Sequence, residues 1–354
     1  MVKVLSLFSG SLASRVATKL VERHPQVSSV QLLYFRSPFS RDCEELRQLV
    51  KSEWSSATYR TQSIKKDYQD LISLTDQGEF SLAQSCRSCQ SLLLSKTARY
   101  MDRIEADYVV TGCIPGKHGL TAQNVADVAS RAGLEGRILN PLMAENPLSV
   151  PDELTSWTDQ TMATRDSNGM TDLILQLAEE LDIHSMDPVN SGSRCKLMIP
   201  GFGERVAALF QEEMVTLNAL CLLDFPLYFK ADPDLRIILA SDENEKRELQ
   251  NYFLPQDLRL YPATPHGPMT LLRTNWDTKS EAEKIEIIEF VARLTATFAR
   301  VEGMATVPVY YRLESQDECQ LLNVEPFESV EDLVNRDDLE LIPLHLPMQL
   351  ELSA

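Results

Sequence analysis

The chain has 354 residues, 44% of them hydrophobic, so it is long enough to bury the cores of two domains. Its formal net charge of −18 argues against a large non-specific nucleic-acid surface, because binding a polyanion depends on neutralising phosphates with Lys and Arg. Residues 313–354 hold eleven acidic side chains and one basic one, so a local basic groove elsewhere is compatible with the composition.

The cysteine content and the length of the apolar runs indicate the cellular compartment in which we expect the protein. No apolar run approaches the roughly 20 residues of a membrane span, and the N-terminal sequence lacks a basic region and a cleavage site. Seven cysteines, an odd number without the rhythm of a disulfide scaffold, indicate reduced thiols. We therefore expect a cytoplasmic protein without a membrane partner.

The first third of the chain alternates strand-like and helix-like segments. Such alternation predicts a parallel sheet with crossover helices. The predicted strands are 2–8, 30–35, 58–62 and 107–111, and the predicted helices are 12–23, 41–54, 64–74 and 89–104. The proline-interrupted stretch ILNPLMAENPLSVPDEL then breaks the rhythm, and the helical TDLILQLAEELDI closes the first domain.

From residue 224 the pattern changes to short β-rich runs with turn signals and one intervening helix. This predicts a smaller α+β domain, which a long helix at 279–299 and the strand TVPVYYR complete. The expected organisation is an α/β domain at 1–222, an α+β domain at 223–312 and an acidic tail at 313–354.

The stretch LFSGSLAS, residues 7–14, joins the first strand to the first helix. Such a Ser/Gly turn points backbone N–H groups and the positive helix end at its mouth, which favours phosphate. It lacks the Gly-Lys-Ser/Thr of a Walker loop and the three glycines of a dinucleotide fingerprint. The residues alone leave open a nucleotide loop and a purely structural turn.

This stretch resembles the Ser-Gly-Gly-X-Asp-Ser loop of the PP-loop ATPases, which adenylate a carbonyl before sulfur or nitrogen attack. The resemblance implies a parallel-sheet HUP/PP-loop domain, the adenine nucleotide alpha hydrolase-like fold. Ser11 replaces the second glycine and Ala13 the aspartate that in the family is associated with Mg²⁺; an alanine methyl offers no oxygen to that cation. The implied ATP contacts are Ser9, Gly10, Ser11, Ser14 and, at the end of the second strand, Phe35.

Cys86 and Cys89 have a two-residue spacing in SCRSCQ, just before the predicted helix at 89–104. The dipole at a helix N-terminus lowers thiol pKa values and promotes thiolate formation. Two such thiols can share a metal or cluster, or exchange a disulfide; two incidental cysteines are the alternative.

The run from residue 84 to 210 resembles the thiouridylase-related PP-loop proteins. Their Cys-X-X-Cys helix, TG strand end, Gln-containing loop, LxxPL segment and Gly-Gly-Cys turn here read SCRSCQ, VVTGCIPGKHGLTAQN, ILNPLMAE and SGSRCKLMIPGF, in the same order. The resemblance implies nucleotide contacts at Gly112 and Gln123 and adds Cys195 to the cysteine pair. Lys117 and His118 are further candidates to face the nucleotide, with a plain surface loop as the alternative.

Three cysteines allow two mechanisms of sulfur insertion. In one, Cys86, Cys89 and Cys195 ligate a [4Fe–4S] cluster whose open iron carries the incoming sulfide. In the other, Cys195 carries a persulfide and Cys86 or Cys89 resolves it as a disulfide. The sequence does not choose between them. The implied partners are tRNA and a sulfur donor protein.

Residues 235–312 resemble the NFACT RNA-binding domain family in layout, through RIILASDENEKREL, DLRLYPATPHGPMTLLRT and TVPVYYR. Ser241 and Asp242 stand where relatives commonly have Gly and Arg. The sequence leaves two arrangements open for its cations, a modest basic patch and a scattered set of solvated side chains; these cations are Arg236, Lys246, Arg247, Arg259 and Arg273. Core positions are expected for the aromatics Tyr252, Phe253, Tyr261 and Trp276.

These observations predict ATP-dependent tRNA thiolation through an adenylated uridine. The alternative is a non-catalytic nucleotide- or protein-binding scaffold descended from a tRNA thiouridylase. A third hypothesis is that the acidic tail mimics nucleic acid and covers the RNA surface.

Overall fold

A computed structural model describes residues 1–40, 43–54, 57–114, 121–142, 167–183, 195–212, 215–231, 234–299, 304–328 and 340–341. The chain divides into two compact units, Met1–Met198 and Ile199–Ala354. The boundary expected after residue 222 lies inside the second unit. There the Arg205 guanidinium donates hydrogen bonds to the carbonyl oxygens of Leu223 and Phe225, so the helix that carries Arg205 is bound to the residues beyond 222.

The first unit is built on a five-stranded parallel sheet, as predicted from the alternating pattern. Its strands are β1 (Val2–Leu7), β2 (Val27–Arg36), β3 (Thr58–Ser63), β4 (Tyr108–Val110) and β5 (Ile138–Leu139). They lie in the order β3-β2-β1-β4-β5, that of a doubly wound fold. The α/β fold class is therefore confirmed, and the strand order reverses direction between β1 and β4.

Five α-helices of the described residues belong to this unit: α1 (Leu12–Glu22), α2 (Cys43–Glu53), α3 (Leu82–Ile104), α4 (Ala122–Arg131) and α5 (Ser167–Glu180). The helix predicted at 64–74 is instead a 3₁₀ helix over Lys65–Leu71. Helix α3 begins earlier than predicted because the Ser81 hydroxyl caps it by accepting from the Gln84 amide.

The second unit is built on a seven-stranded antiparallel sheet in the order β11-β10-β8-β9-β7-β6-β12. Its strands are β6 (Leu227–Ala231), β7 (Leu235–Ala240), β8 (Leu258–Pro262), β9 (Met269–Arg273), β10 (Val307–Leu313), β11 (Gln320–Val324) and β12 (Glu340–Leu341). Its described α-helices are α6 (Phe202–Gln211), α7 (Leu217–Leu222), α8 (Glu243–Leu249) and α9 (Glu281–Thr297). Because β11 pairs with β10 and β12 with β6, the sheet extends into the stretch predicted as an acidic tail.

One face of this sheet packs against α9. Alternate strand residues such as Leu258, Leu260, Val307 and Val309 are buried with Val291 of the helix, as the two-residue period of a strand requires. The helix starts with a capping box between Ser280 and Glu283, which satisfies amides that the first turn leaves unpaired. Within the described residues, no helix combines the length and the apolar character of a membrane span.

A buried ion pair joins β9 to the loop before β8. The Arg273 guanidinium donates to both carboxylate oxygens of Asp257, at 2.9 and 2.6 Å, and Asp257 is fully buried. Further Arg273 hydrogen bonds reach the Asn218 side chain and the Tyr252 carbonyl. The guanidinium therefore links three segments of the second unit.

We predict that Asp257→Asn lowers the free energy of unfolding by about 3–5 kcal/mol, because it leaves the buried Arg273 charge without a counter-charge. Urea denaturation of the full chain measures the loss. The matched control is Glu281→Gln, which removes a carboxylate from the exposed pair with Lys284 and should cost about 1 kcal/mol or less. Equal losses in the two variants would contradict the prediction.

Candidate functional site

The candidate site lies at the carboxyl edge of the parallel sheet, where β1 and β4 end side by side. In doubly wound sheets, ligands bind outside the carboxyl ends of the strands at the point where the strand order reverses. Here β1 runs into the turn at residues 8–11 and helix α1, and β4 runs into Thr111, Gly112 and Cys113. The structure thus brings the predicted phosphate turn and the predicted TG segment to one edge.

The turn after β1 is held by its own hydroxyls. Gly10 has a φ of 77°, and Ser11 caps α1 by accepting from the Ser14 amide. The Ser9 hydroxyl lies 3.0 Å from that of Ser11 and 3.1 Å from that of Ser14. These bonds satisfy the hydroxyls locally and fix the start of the helix.

Two backbone amides of this helix end remain for a ligand. Leu12 and Ala13 are the first two residues of α1, so their N–H groups have no acceptor within the helix. Unsatisfied amides and the positive end of the helix dipole favour an anion such as phosphate. Ala13 is itself buried and supplies no carboxylate, so the turn offers phosphate contacts without the family's magnesium ligand.

Gly112 is in direct contact with the backbone of α1. A Cβ atom added to Gly112 would lie 2.6 Å from both the Cα and the amide nitrogen of Ser14, closer than real Cβ atoms come to such neighbours. Only glycine therefore allows the end of β4 to lie against the first turn of α1. This packing role is what the structure shows for Gly112; the nucleotide contact stays a prediction.

Next to Gly112, the Thr111 hydroxyl is a polar group that the sequence reasoning missed. Thr111 is only 6% exposed, and its hydroxyl has no hydrogen-bond partner among the described residues. Leaving a buried hydroxyl unpaired is costly, so such groups often mark the position of a bound ligand or water. The signal in the sequence was its position at the end of a buried strand.

The other predicted nucleotide contacts belong to different segments of the chain. Phe35, near the end of β2, is buried and pairs in register with Gln62. Gln123 lies in the first turn of α4 rather than in a loop, is exposed, and donates to the Asp127 carboxylate at 2.8 Å. The loop assignment of Gln123 was therefore wrong. Lys117 and His118 lie outside the described residues.

Cys86 and Cys89 lie inside α3 rather than ahead of it. Burial raises the pKa of Cys86 to about 11 and that of Cys89 to about 12, and in both cases the neighbouring Cys195 contributes in the same direction. The expectation of lowered thiol pKa values was wrong. The dipole effect falls off within the first helical turn, whereas the cost of desolvating a thiolate does not.

Cys195 reaches these thiols through the segment after β2. The Lys196 amide donates to the Phe39 carbonyl at 2.7 Å, and Cys195 forms an antiparallel bridge with Ser40. This bridge holds Cys195 near α3, within electrostatic range of both Cys86 and Cys89. Cys195 and the two thiols of α3 therefore lie within electrostatic range of each other.

A fourth thiol, Cys113, comes directly after Gly112. It accepts a hydrogen bond from the Gln90 side chain at 3.6 Å, and burial raises its pKa while that bond lowers it. Its charge also raises the pKa of Cys86. Cys113 is half-buried and lies within electrostatic range of Cys86.

The [4Fe–4S] ligand set does not fit this arrangement. In the part of the chain that the structure describes, no group of three or more His, Cys, Asp or Glu side chains is placed to hold a metal ion. A cluster requires its thiolates at ligating distance from shared irons.

A polar groove of about 740 Å³ runs along a different side of α3. It is lined by Asp70, Arg87, Ser88, Ser91, Asp127 and Arg131, among others. Serines at 88, 91 and 95 recur at helical spacing, a signal that the sequence reasoning missed. None of the predicted site residues lines this groove.

In the second unit, most of the predicted basic patch is used for structure. Arg236 pairs with Glu212, Arg273 with Asp257, Arg259 with Glu314 and Lys246 with Glu243. Arg236 and Arg273 are also buried, whereas Arg247, the fifth cation of the predicted set, is exposed. The five cations together therefore form neither a basic patch nor a solvated set. The four aromatics expected in the core are only partly buried: Tyr252, Phe253, Tyr261 and Trp276. Of these, Tyr261 lies beside Tyr310.

Comparison with known proteins adds a family match for this second unit. The model of the NFACT protein RNA binding domain matches residues 228–333. The second unit contains a match to an RNA-binding domain family. No curated protein matches the chain.

Three solved structures are similar to this chain. They are U34-tRNA thiolase NcsA from Methanococcus maripaludis with its [4Fe-4S] cluster (14% identity, 63% of this chain, 70% of that chain, TM-score 0.32), the C-terminal part of the fibronectin/fibrinogen-binding protein from Streptococcus suis (14%, 70%, 94%, 0.25) and NMN synthetase from Francisella tularensis (14%, 53%, 89%, 0.26). Similarities this distant assign no activity to the chain.

We predict that Gly112→Ala lowers the free energy of unfolding by about 1–3 kcal/mol, because the new methyl overlaps the Ser14 backbone. Amide exchange at the start of α1 should accelerate as well, since the contact there is lost. Gly133→Ala is the control: it meets no atom within 4 Å and carries only the strain of its φ of +71°. Unchanged exchange at Ser14 in Gly112→Ala would rule out the contact.

The raised pKa values predict slow alkylation of Cys86 and Cys89 at neutral pH, because the thiolate is the reactive form. In the folded chain their iodoacetamide rates should keep rising up to about pH 11 for Cys86 and about pH 12 for Cys89. In urea both should react faster at neutral pH. Peptide mass spectrometry reports each site, and equal rates in folded and unfolded chains at pH 7 would contradict the assignment.

Proposed function

We propose that the protein is an ATP-dependent tRNA thiolation protein, which replaces a uridine carbonyl oxygen by sulfur. The observation that supports this most is that Cys195, from a distant segment of the first unit, comes within electrostatic range of Cys86 and Cys89 of α3. The order of motifs in residues 84–210 and the RNA-binding domain match at 228–333 are consistent with it.

ATP binding is assigned to the turn after β1. The Leu12 and Ala13 amides and the positive end of α1 would hold phosphate, and Ser9 and Ser11 would keep the turn in shape. When bound, ATP converts the uridine oxygen into a leaving group. Because Ala13 lacks a carboxylate, any Mg²⁺ would be held by the phosphates and water rather than by this position.

The sulfur chemistry is assigned to the three thiols without a metal. A persulfide on Cys195, loaded by a sulfur donor protein, attacks the activated uridine carbon through its outer sulfur, and the oxygen leaves as part of AMP. Cys86 or Cys89 then loses its proton and attacks the sulfur–sulfur bond. This releases the thiolated uridine and leaves a disulfide to Cys195, which an external dithiol reduces.

The raised pKa values are compatible with this order of events. At neutral pH Cys86 and Cys89 are protonated, so neither reacts before it is needed. Once Cys195 is bound in a mixed disulfide it carries no charge, and one cause of the raised pKa values disappears. The resolving thiol then becomes easier to deprotonate.

The test is sulfur incorporation into tRNA by the full chain with ATP and a persulfide donor, measured by nucleoside mass spectrometry. We expect Cys195→Ser to abolish incorporation. Of Cys86→Ser and Cys89→Ser, the variant that removes the resolving thiol should stop the reaction at the stage of a tRNA–protein adduct. Cys221→Ser, a half-buried cysteine of the second unit, is the matched control and should be fully active. Full activity of Cys195→Ser would refute the mechanism.

A second candidate is a non-catalytic RNA-binding protein. It is favoured by the buried Ala13 in place of an aspartate and by the protonated state of the thiols. Under this alternative the chain binds tRNA, yet tRNA and sulfur donor stimulate no conversion of ATP to AMP. Measuring AMP alongside tRNA affinity therefore separates the two functions.

A further inference from the structure

The antiparallel sheet of the second unit has a second face along β8, β10 and β11, opposite the one that packs on α9. Strand residues alternate between the two faces, and the α9 side takes Leu258, Leu260, Val307, Val309 and Leu322. The remaining side chains of these strands project from the other side. We call this set the open face: Arg259, Tyr261, Pro308, Tyr310, Arg312, Leu321 and Asn323.

An apolar row crosses the open face. Tyr310 is the register partner of Tyr261 on β8 and of Leu321 on β11, so the three side chains lie side by side. The two tyrosine rings have centroids 5.5 Å apart and planes inclined by 35°. Both rings are half-exposed and Leu321 is 52% exposed, which is unusual for adjacent large apolar groups on a sheet.

A basic row lies beside the apolar one. Arg312 is the register partner of Arg259, and the Arg259 guanidinium stacks on the Phe253 ring at 4.4 Å. Both guanidinium groups contact the same carboxylate, Glu314, at 3.0 Å from Arg259 and 3.6 Å from Arg312. Two cations share one anion, so this row keeps a net positive charge in an acidic chain.

We propose that the open face binds single-stranded RNA, with an unpaired base stacked on the Tyr261 and Tyr310 rings and the adjacent phosphate on Arg312. Aromatic side chains on an exposed sheet take single-stranded bases in this way, because every base offers a flat ring and the backbone charge is met by neighbouring arginines. A phosphate would replace Glu314 as the partner of Arg312.

The inference rests on the RNA-binding part of the proposed function and is independent of the sulfur chemistry. RNA is favoured over a protein partner because all seven residues of the open face fall within the matched segment at 228–333. Base stacking on the open face also explains how an acidic chain, whose predicted cations are mostly in ion pairs, can bind RNA. Stacking supplies binding energy that charge does not.

The first experiment measures the affinity of the full chain for a fluorescent single-stranded oligoadenosine by anisotropy. Tyr310→Leu should weaken binding by about fivefold or more, the lower range for losing one stacking platform. Tyr310→Phe keeps the ring and should bind like the wild type. Leu321→Glu tests the same row at a position that is 52% exposed, and should also weaken binding.

The second experiment tests the basic row. Arg312→Gln should lower the slope of log affinity against log salt by about 0.7, the value for one phosphate contact on a single strand. Its matched control is Arg293→Gln on α9, an arginine that is half-exposed like Arg312 but lies over the Phe327 ring, at 4.3 Å, on the other side of the sheet. The control should leave the slope unchanged.

The outcomes separate this inference from the proposed function. If the wild type binds the oligonucleotide and neither Tyr310→Leu nor Leu321→Glu weakens binding, the open face is wrong while RNA binding stands. A duplex that competes as well as the single strand would also overturn the stacking. A wild type that binds neither RNA would overturn the open face, whereas the proposed function is decided separately by sulfur incorporation into tRNA. Circular dichroism of each variant confirms that it is folded.

Discussion

The close approach of β4 to α1 at Gly112 is the constraint on which the candidate site depends. Without a side chain at this position, the strand end lies against the Ser14 backbone and places Thr111 and Cys113 beside the phosphate turn. Any larger residue would separate the two segments. The serine hydroxyls stabilise the turn, but it is Gly112 that lets the end of β4 reach it.

The thiols show how burial and dipole effects compete at this edge. If α3 began at residue 89, as predicted, both cysteines would lie at its N-terminal dipole. Because Ser81 caps the helix, α3 begins at Leu82 and both cysteines lie beyond its first turn. Desolvation then dominates, and the thiols are protonated at neutral pH.

In the second unit, buried arginines stabilise the fold through ion pairs and do not form a phosphate-binding surface. Arg236 and Arg273 are buried in ion pairs that connect strands to helices and loops, so they contribute to stability and not to a phosphate surface. The exposed side of β8, β10 and β11 carries tyrosines and two arginines that share one carboxylate. Recognition through rings then requires few free cations, which agrees with the acidity of the chain.

The sequence by itself determined the parallel sheet, the Ser/Gly turn between β1 and α1, the long helix α9 and the order of cysteine motifs, because hydrophobic period and turn chemistry are local properties. It did not determine where α3 begins, that Gln123 is helical, or that Thr111 is buried without a partner among the described residues. Those features depend on contacts between distant segments, as do the pKa of Cys89 and the partner of Arg273. Only the tertiary structure decided them, because burial and ion pairing are set by neighbours that local sequence does not name.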